Sequence, residues 1–366
     1  MKWLLESVYR WRDKEIISAV QFRAEETWNS CIMEDNNSIE VQDNCYKPSC
    51  LFSKAEIGLI IGAFALLFFM SLVGNLISFY LIATKSSLKR ANRFTMLSLS
   101  VADLLVTVFC MLVVPLDYLV FDRWLIGNFM CKFITFAQSL GIASSLLHLA
   151  VVTLQNFMAV CFPFYARSLK GKDIHFTCIA WSIAIIESCA YINFKSLQEF
   201  PDGSAFCIEV WTSNELRRVF LFTNAALMVA LPIVSIATLN ICSIFALHRA
   251  KQKIQGTNSF DRSSEHARKR IRRTEGAVKK IFIILAVLIF CSIPYQALGL
   301  WSEITQANNI CKASTILFLV FVWLYFANMA IHPLLYTLFS WGYRAAIRES
   351  FGSITSKRRS TTTAVV

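Results

Sequence analysis

Residues 57–84 read IGLIIGAFALLFFMSLVGNLISFYLIAT and contain no Asp, Glu, Lys or Arg. A bilayer hydrocarbon core about 30 Å thick requires roughly 20 consecutive apolar residues in a helical span. This segment exceeds that requirement, and it shows no strand-like alternation of apolar and polar residues. We therefore predict that it crosses a membrane as one helix, in which the backbone amides are hydrogen-bonded within their own segment.

Six further apolar runs follow in the 366-residue chain, of which 56% is hydrophobic and only 16% is charged. The complete set of predicted spans is 57–84, 94–120, 130–162, 176–194, 219–247, 278–301 and 313–338. A soluble domain rarely needs so much apolar sequence. The sequence therefore predicts an all-α membrane protein, a seven-transmembrane helix bundle over residues 57–338.

The distribution of Lys and Arg predicts the orientation of the bundle, because short cytoplasmic loops retain basic residues. The loops 84–93, 161–175 and 246–280, together with the tail after 340, hold 23 of the 36 basic residues and five acids. We expect these segments to face the cytoplasm, which places residues 1–56 outside. The net charge of +12 is then a cytoplasmic bias and does not predict nucleic-acid binding.

Each predicted span carries a distinctive polar, aromatic or proline residue. In chain order the motifs are GNLISFYL with Asn75, LSLSVADLL with Asp103, DRWLIGNFMCKF with Trp124 and Cys131, IAWS with Trp181, ALPIV with Pro232, FCSIPY with Pro294, and NMAIHPLLY with Pro333. In this order they resemble the motifs of rhodopsin-like (class A) G-protein-coupled receptors, from about residue 55 to 352. The resemblance implies a multi-pass plasma-membrane receptor that binds an extracellular ligand and signals to G protein and arrestin.

The resemblance also implies a disulfide between Cys131 and Cys207. Around Cys207 the stretch QEFPDGSAFCIEVW predicts two short strands joined by a Pro-Asp-Gly-Ser turn. This hairpin resembles the lid over the pocket of peptide receptors. Cys311 is expected to pair with Cys45 or Cys50, a choice that the sequence leaves open. Asn36 opens an Asn-Asn-Ser glycosylation sequon in the outer segment.

A polar core is expected halfway across the bundle. A carboxylate such as Asp103 is costly in lipid and is functional by default. The resemblance implies that Asn75, Asp103, Ser145 and Asn328 bind a sodium ion, and no other cofactor is predicted. His332 replaces the asparagine of the family's Asn-Pro-x-x-Tyr motif and should lie near Asp103. One hypothesis is that its imidazolium replaces sodium and makes the resting state pH-sensitive; the alternative is a neutral, hydrogen-bonded histidine.

The expected activation switch departs from the family pattern. It comprises Gln155, Asn156, Phe157, Ser292, Pro294, Pro333 and Tyr336. The first three stand where related receptors have Asp-Arg-Tyr, and Ser292 stands where a tryptophan is usual. Because an amide at Asn156 cannot form the family's ionic lock, the sequence leaves two readings open. The chain either signals through a rebuilt relay, or it is a non-signalling scavenger, internalising or dimer-partner protein of the same fold.

Four neutral side chains, Gln138, Ser139, Tyr295 and Gln296, are predicted to line the base of an aromatic ligand cavity. Gln138 stands where amine receptors carry an aspartate, which argues against a monoamine ligand. Because the seventh span lacks lysine, a retinal Schiff base is excluded in the usual position.

Acidic side chains, with Glu209 among them, surround the expected cavity mouth and would steer a basic peptide toward it. The alternative is that outer segments are acidic only because bases are retained inside. Glu187, in the fourth span, either faces the pocket or lies near the membrane interface.

The remaining segments are predicted to act at the cytoplasmic side. Residues 339–351 are expected to form a short amphipathic eighth helix on the membrane surface, and residues 352–366 a disordered tail suited to kinases and arrestin. The basic loop 248–280 contacts either a G protein or anionic lipid. Metal-ligand spacing, a phosphate loop and a hydrolase triad are absent from the sequence, so we predict no enzyme. A seven-helix transporter is a weaker alternative, because few charges lie within the spans.

Overall fold

The computed structural model describes residues 51–85, 93–120, 124–168, 171–199, 205–255, 262–305, 312–339 and 343–350. Within these ranges seven helical segments are long and apolar enough to cross a membrane. The spans are Lys54–Thr84, Arg93–Leu119, Gly127–Cys161, Asp173–Ile192, Asn214–Gln252, Phe282–Ile304 and Ser314–Leu335. The predicted seven-transmembrane bundle is confirmed, and the bounds differ from the predicted ones by up to five residues.

The first span begins earlier than its apolar run because a capping box starts the helix. The Ser53 backbone N–H donates to Glu56 Oε2 at 2.7 Å, and the Glu56 backbone N–H donates to Ser53 Oγ at 3.3 Å. These two bonds satisfy amide groups that would otherwise have no partner in the first turn. The helix therefore includes the charged residues Lys54 and Glu56, which a search for apolar residues leaves out.

The second span is interrupted, whereas the sequence predicted one continuous helix. It consists of helices Arg93–Phe109 and Val113–Leu119 with a turn between them. In that turn the backbone N–H groups of Cys110 and Met111 both donate to Val106 O, at 3.0 and 3.1 Å. Pro115 lies one turn further on, where it cannot donate to the preceding turn. This proline accounts for the change of hydrogen-bond pattern.

The fifth span is built from three consecutive helical segments: Asn214–Asn224, a π-helical turn Ala225–Ala230, and Leu231–Gln255. The π turn directly precedes Pro232, whose missing N–H loosens the helical ladder at this point.

The sixth helix extends well beyond the membrane, from Arg262 to Thr305. Its basic extension lies beside the end of the fifth helix, where Lys251 Nζ lies 2.6 Å from Glu275 Oε2. Hydrogen bonds from Lys251 and Lys279 lower the pKa of the Glu275 carboxyl. The fifth and sixth helices therefore both continue into the basic stretch 248–280.

The two largest apolar clusters among the described residues lie at opposite ends of the bundle. Phe64, Val106 and Cys131 belong to the cluster at the end that carries the β-hairpin described below, which we call the hairpin end. Leu99 and Leu146 belong to the cluster at the opposite end. On the second span Asp103 lies between Leu99 and Val106, so the buried carboxylate separates the two clusters.

A short helix at residues 343–350 closes the opposite end of the bundle and corresponds to the predicted eighth helix. The seventh helix continues to Phe339, so the eighth helix starts later than the predicted 339. Its Tyr343 is buried, and the Tyr343 hydroxyl lies 2.7 Å from Ser78 Oγ. Burial raises the pKa of Tyr343, while the bond to Ser78 opposes that shift. This contact fixes the eighth helix against the first span.

Candidate ligand-binding site

A β-hairpin lies against the third span. Strand β1 (Lys195–Glu199) pairs antiparallel with β2 (Ala205–Glu209), so that Leu197 faces Cys207. Cys207 is disulfide-bonded to Cys131 at the start of the third span, and the Trp124 backbone N–H donates to Ala205 O at 2.6 Å. The predicted disulfide and the two predicted strands are confirmed.

A cavity of about 400 Å³ opens beneath this hairpin, between the third, fourth, fifth, sixth and seventh spans. All five residues predicted to bind ligand line it: Gln138, Ser139, Tyr295, Gln296 and Glu209. A neighbouring cavity of about 200 Å³ shares Gln138 and Tyr295 with it and continues toward the second span. The two cavities form one recess of the size that small ligands and peptide side chains occupy.

Charged side chains also line this cavity. Lys195 Nζ lies 3.5 Å from Glu209 Oε1, and Arg217 Nη1 lies 3.3 Å from Glu303 Oε2. Glu187 also lines the cavity, which decides between its two predicted positions. Glu187 could be singled out from the sequence because it is an acid within an apolar run. Lys195 and Arg217 could not be singled out in this way, because Lys and Arg are common at span ends.

The floor of the cavity leads toward the polar core through Tyr325. The Tyr325 ring lies 4.9 Å from the Tyr295 ring, centroid to centroid, and both rings line the main cavity. Tyr325 also borders a small interior cavity of about 10 Å³, together with Ser145, Ser292 and Asn328. Tyr325 therefore lies between the ligand cavity and the polar interior, together with Ile142 and Val229, which also border both cavities.

Asp103 is fully buried and makes side-chain contacts with both oxygens. Oδ1 accepts from Ser145 Oγ at 3.1 Å, and Oδ2 lies 2.8 Å from His332 Nδ1. Asn75 donates instead to the backbone oxygens of Ser71 and Met329, at 3.0 and 3.1 Å. The sodium ion implied by the family resemblance stays a prediction, and the position of His332 bears against it. The imidazole brings a nitrogen against the carboxylate where the ion would need oxygen ligands.

Three of the predicted switch residues lie near the end of the third span. Gln155, Asn156 and Phe157 are half-buried, and the Phe157 ring packs edge-on against Phe162 with 6.0 Å between centroids. Gln155 Oε1 has no hydrogen-bond partner within the described residues. Gln155 and Asn156 have neutral amide side chains, so this end of the third span lacks the charged pair that the family resemblance implies.

The other switch residues lie in the sixth and seventh helices. Ser292 is buried, and Pro294 and Pro333 lie inside their helices. A β-carbon at Gly74 would lie 3.0 Å from the Pro333 ring, so glycine allows the first and seventh spans to approach closely. The side chain of Tyr336, the glycosylation site Asn36, the cysteines 31, 45, 50 and 311, and the tail 352–366 lie outside the described residues.

Fold and site together define a class of protein: a seven-span membrane receptor with a disulfide-anchored hairpin beside a cavity between its helices. Residues 74–336 match the model of a protein family described as "7 transmembrane receptor (rhodopsin family)". This match covers more than half of the sequence, and the chain belongs to the rhodopsin-like family of G-protein-coupled receptors.

The chain is also similar to curated peptide receptors. It is 21% identical to a QRFP-like peptide receptor of Branchiostoma floridae, over 77% of this chain and 74% of the relative. It is 22% identical to neuropeptide FF receptor 2 of Rattus norvegicus, over 80% of this chain and 72% of the relative. It is 26% identical to galanin receptor 2a of Danio rerio, over 82% of this chain and 79% of the relative.

Proposed function

We propose that this protein is a plasma-membrane receptor for an extracellular peptide, with its amino terminus outside and its carboxyl terminus in the cytoplasm. The observation that carries the proposal is the recess beneath the hairpin, which all five residues expected to bind ligand line. The peptide receptors among its relatives support the ligand class. Lys and Arg retained in the loops opposite the hairpin support the orientation.

The lining of the recess favours a peptide over a monoamine. Gln138 offers an amide where a monoamine would need a carboxylate. The ion pair of Lys195 and Glu209 lies on the hairpin, where a ligand larger than a monoamine would contact it. A recess of this size accepts one end or a few side chains of a peptide, while the hairpin contacts the remainder.

Peptide-evoked signalling tests the proposal. Cells that express the receptor with an amino-terminal epitope tag are exposed to neuropeptide FF, galanin and a panel of basic peptides, and G-protein activation and arrestin recruitment are recorded. We expect a response that Gln138→Ala weakens at equal surface expression. No response to any peptide, with the receptor at the surface, would contradict the proposal. The tag must be accessible on intact cells, and a carboxyl-terminal tag only after permeabilisation.

A second candidate function is a receptor that binds its peptide without conventional G-protein coupling. The uncharged pair Gln155 and Asn156 at the end of the third span favours it, because the family's arginine contacts the G protein at this position. The Asn156→Arg variant separates the two functions. G-protein activation gained only in this variant supports the silent receptor, whereas strong activation by the wild type supports a rebuilt relay.

The polar core of this receptor is proposed to work without a bound sodium ion. Ser145 and His332 together take up both carboxylate oxygens of Asp103. The imidazole thereby supplies within the chain the contact that an ion supplies in receptors with asparagine at the position of His332.

A further inference from the structure

Glu187 joins three spans at the wall of the ligand cavity. Its Oε2 accepts a hydrogen bond from Ser139 Oγ of the third span at 2.7 Å, and its Oε1 accepts one from Asn224 Nδ2 of the fifth span at 2.6 Å. A longer bond of 3.3 Å comes from the neighbouring Ser188 hydroxyl. All three donors are neutral, so they orient the carboxylate without balancing its charge.

The other charged groups that line this cavity have partners of opposite charge. Glu209 is paired with Lys195, and Arg217 is paired with Glu303. Within the described residues, no Lys, Arg or His nitrogen lies within the 4.0 Å ion-pair distance of the Glu187 carboxylate. Among the described residues, Glu187 is therefore the cavity-lining carboxylate that has no cationic partner.

An uncompensated carboxylate within a span is expensive, and such residues usually serve a ligand or an ion. Each carboxylate oxygen can accept about two hydrogen bonds. Oε2 already accepts from Ser139 and Ser188, whereas Oε1 accepts from Asn224 and keeps acceptor capacity for a further donor. The rings of Tyr191 and Tyr295 also line the cavity and present aromatic surface that attracts cations. The wall is thus arranged for a positively charged group.

On these observations we propose that Glu187 binds a cationic group of the ligand, the guanidinium of an arginine or the ammonium of a lysine or amino terminus. This inference rests on the proposed function and adds to it the chemistry of the group that enters the cavity. The cation meets the carboxylate between the third, fourth and fifth spans. Ser139 and Asn224 are positioning residues, because they hold the two oxygens in place for the cation.

The test uses a small probe, so that it does not depend on the identity of the natural peptide. Purified full-length receptor in lipid nanodiscs is titrated with acetyl-arginine amide and with its neutral isostere acetyl-citrulline amide, and the Tm is followed. We expect the wild type to prefer the arginine compound by at least about tenfold in apparent affinity, as one charge-assisted contact allows. Equal shifts from the two compounds in the wild type would overturn the proposal.

Glu187→Gln separates a cation-binding role from a purely structural one. Glutamine is close in shape and can still bond to both Ser139 and Asn224, but it has no charge. We expect this variant to lose the preference for arginine while its Tm without probe stays close to that of the wild type. Glu349→Gln, which removes a carboxylate from the eighth helix, is the matched control and should keep the preference. A preference retained in Glu187→Gln would also overturn the proposal.

Binding of the probe and peptide-evoked signalling can fail separately. If no peptide activates the receptor but the wild type still prefers arginine to citrulline, the proposed function fails and the cation site stands. If peptides activate the receptor but the two probes bind equally, the cation site fails and the proposed function stands.

Discussion

Replacing His332 by asparagine tests whether the imidazole takes the place of a sodium ion. Asp103 is 0% exposed and His332 is 2% exposed, and their side chains meet at 2.8 Å. A single hydrogen bond to a charged group contributes about 1.5–3 kcal/mol, and its loss here leaves one oxygen of a fully buried carboxylate without that partner. We expect His332→Asn to destabilise the receptor by about 3 kcal/mol in sodium-free buffer, since asparagine is shorter and leaves Ser145 as the carboxylate's side-chain donor.

The assay is thermal unfolding of purified receptor in nanodiscs, in sodium chloride and in choline chloride at equal ionic strength. At about 2–4 °C per kcal/mol for a chain of this order of size, the variant should lose roughly 6–12 °C in choline. Sodium should recover part of this loss, because asparagine supplies an oxygen ligand and frees one carboxylate oxygen. The wild type should unfold at the same Tm in both salts. Asp103→Asn is the control. Without the carboxylate, the Tm should not respond to sodium, whether residue 332 is histidine or asparagine.

Two results would refute this reasoning. The first is a wild-type Tm that falls when choline replaces sodium, because an ion would then bind beside the histidine. The second is a His332→Asn variant as stable in choline as the wild type, because the contact between His332 and Asp103 would then contribute nothing. A double-mutant cycle with Asp103→Asn measures the coupling directly.

Three further perturbations test the packing. A β-carbon at Gly141 would overlap Val106, so Gly141→Ala should cost about 1–3 kcal/mol in thermal unfolding, whereas Gly299→Ala, which meets nothing within 4 Å, should not destabilise. Tyr343→Phe removes the hydroxyl that contacts Ser78; we expect a loss of about 0.5–1.5 kcal/mol and faster hydrogen exchange in residues 343–350, and unchanged exchange would count against that contact. Reduction of the hairpin disulfide should lower stability by about 2–5 kcal/mol and weaken peptide binding; a reduced receptor with unaltered Tm would contradict this.

The existence of the spans could be predicted from sequence because the bilayer imposes length and apolar composition on each one separately. Their ends could not, since local hydrogen bonds decide them. The first span starts at Lys54 because Ser53 and Glu56 cap it. The second span changes its hydrogen-bond pattern ahead of Pro115. The sixth helix begins at Arg262, and its charged first part lies outside the apolar span Phe282–Ile304.

The candidate site was predictable where a residue type or a known pattern marks it. The family resemblance predicted the disulfide of Cys207 and the cavity position of Gln138. Glu187 was a candidate because it is an acid within an apolar span. The partners of Glu187 could not be predicted in the same way. Ser139 and Asn224 come from two other spans, and their meeting depends on the rotation of each helix about its axis, which apolar runs without a strong polar face do not determine.

One face of the seventh span connects the ligand cavity with the buried pair of His332 and Asp103. Tyr325, Asn328 and His332 are spaced three and four residues apart, so they stack on one side of that helix. Tyr325 borders the ligand cavity, Asn328 borders the small interior cavity, and His332 contacts Asp103. The family resemblance implies a tryptophan at the position of Ser292, so the sixth span here has a small side chain in place of a large ring. A ligand that displaces Tyr325 would act instead on the seventh span, whose same face carries the imidazole. We therefore expect the switch to operate through the seventh span, with His332 and the small Ser292 as its altered parts.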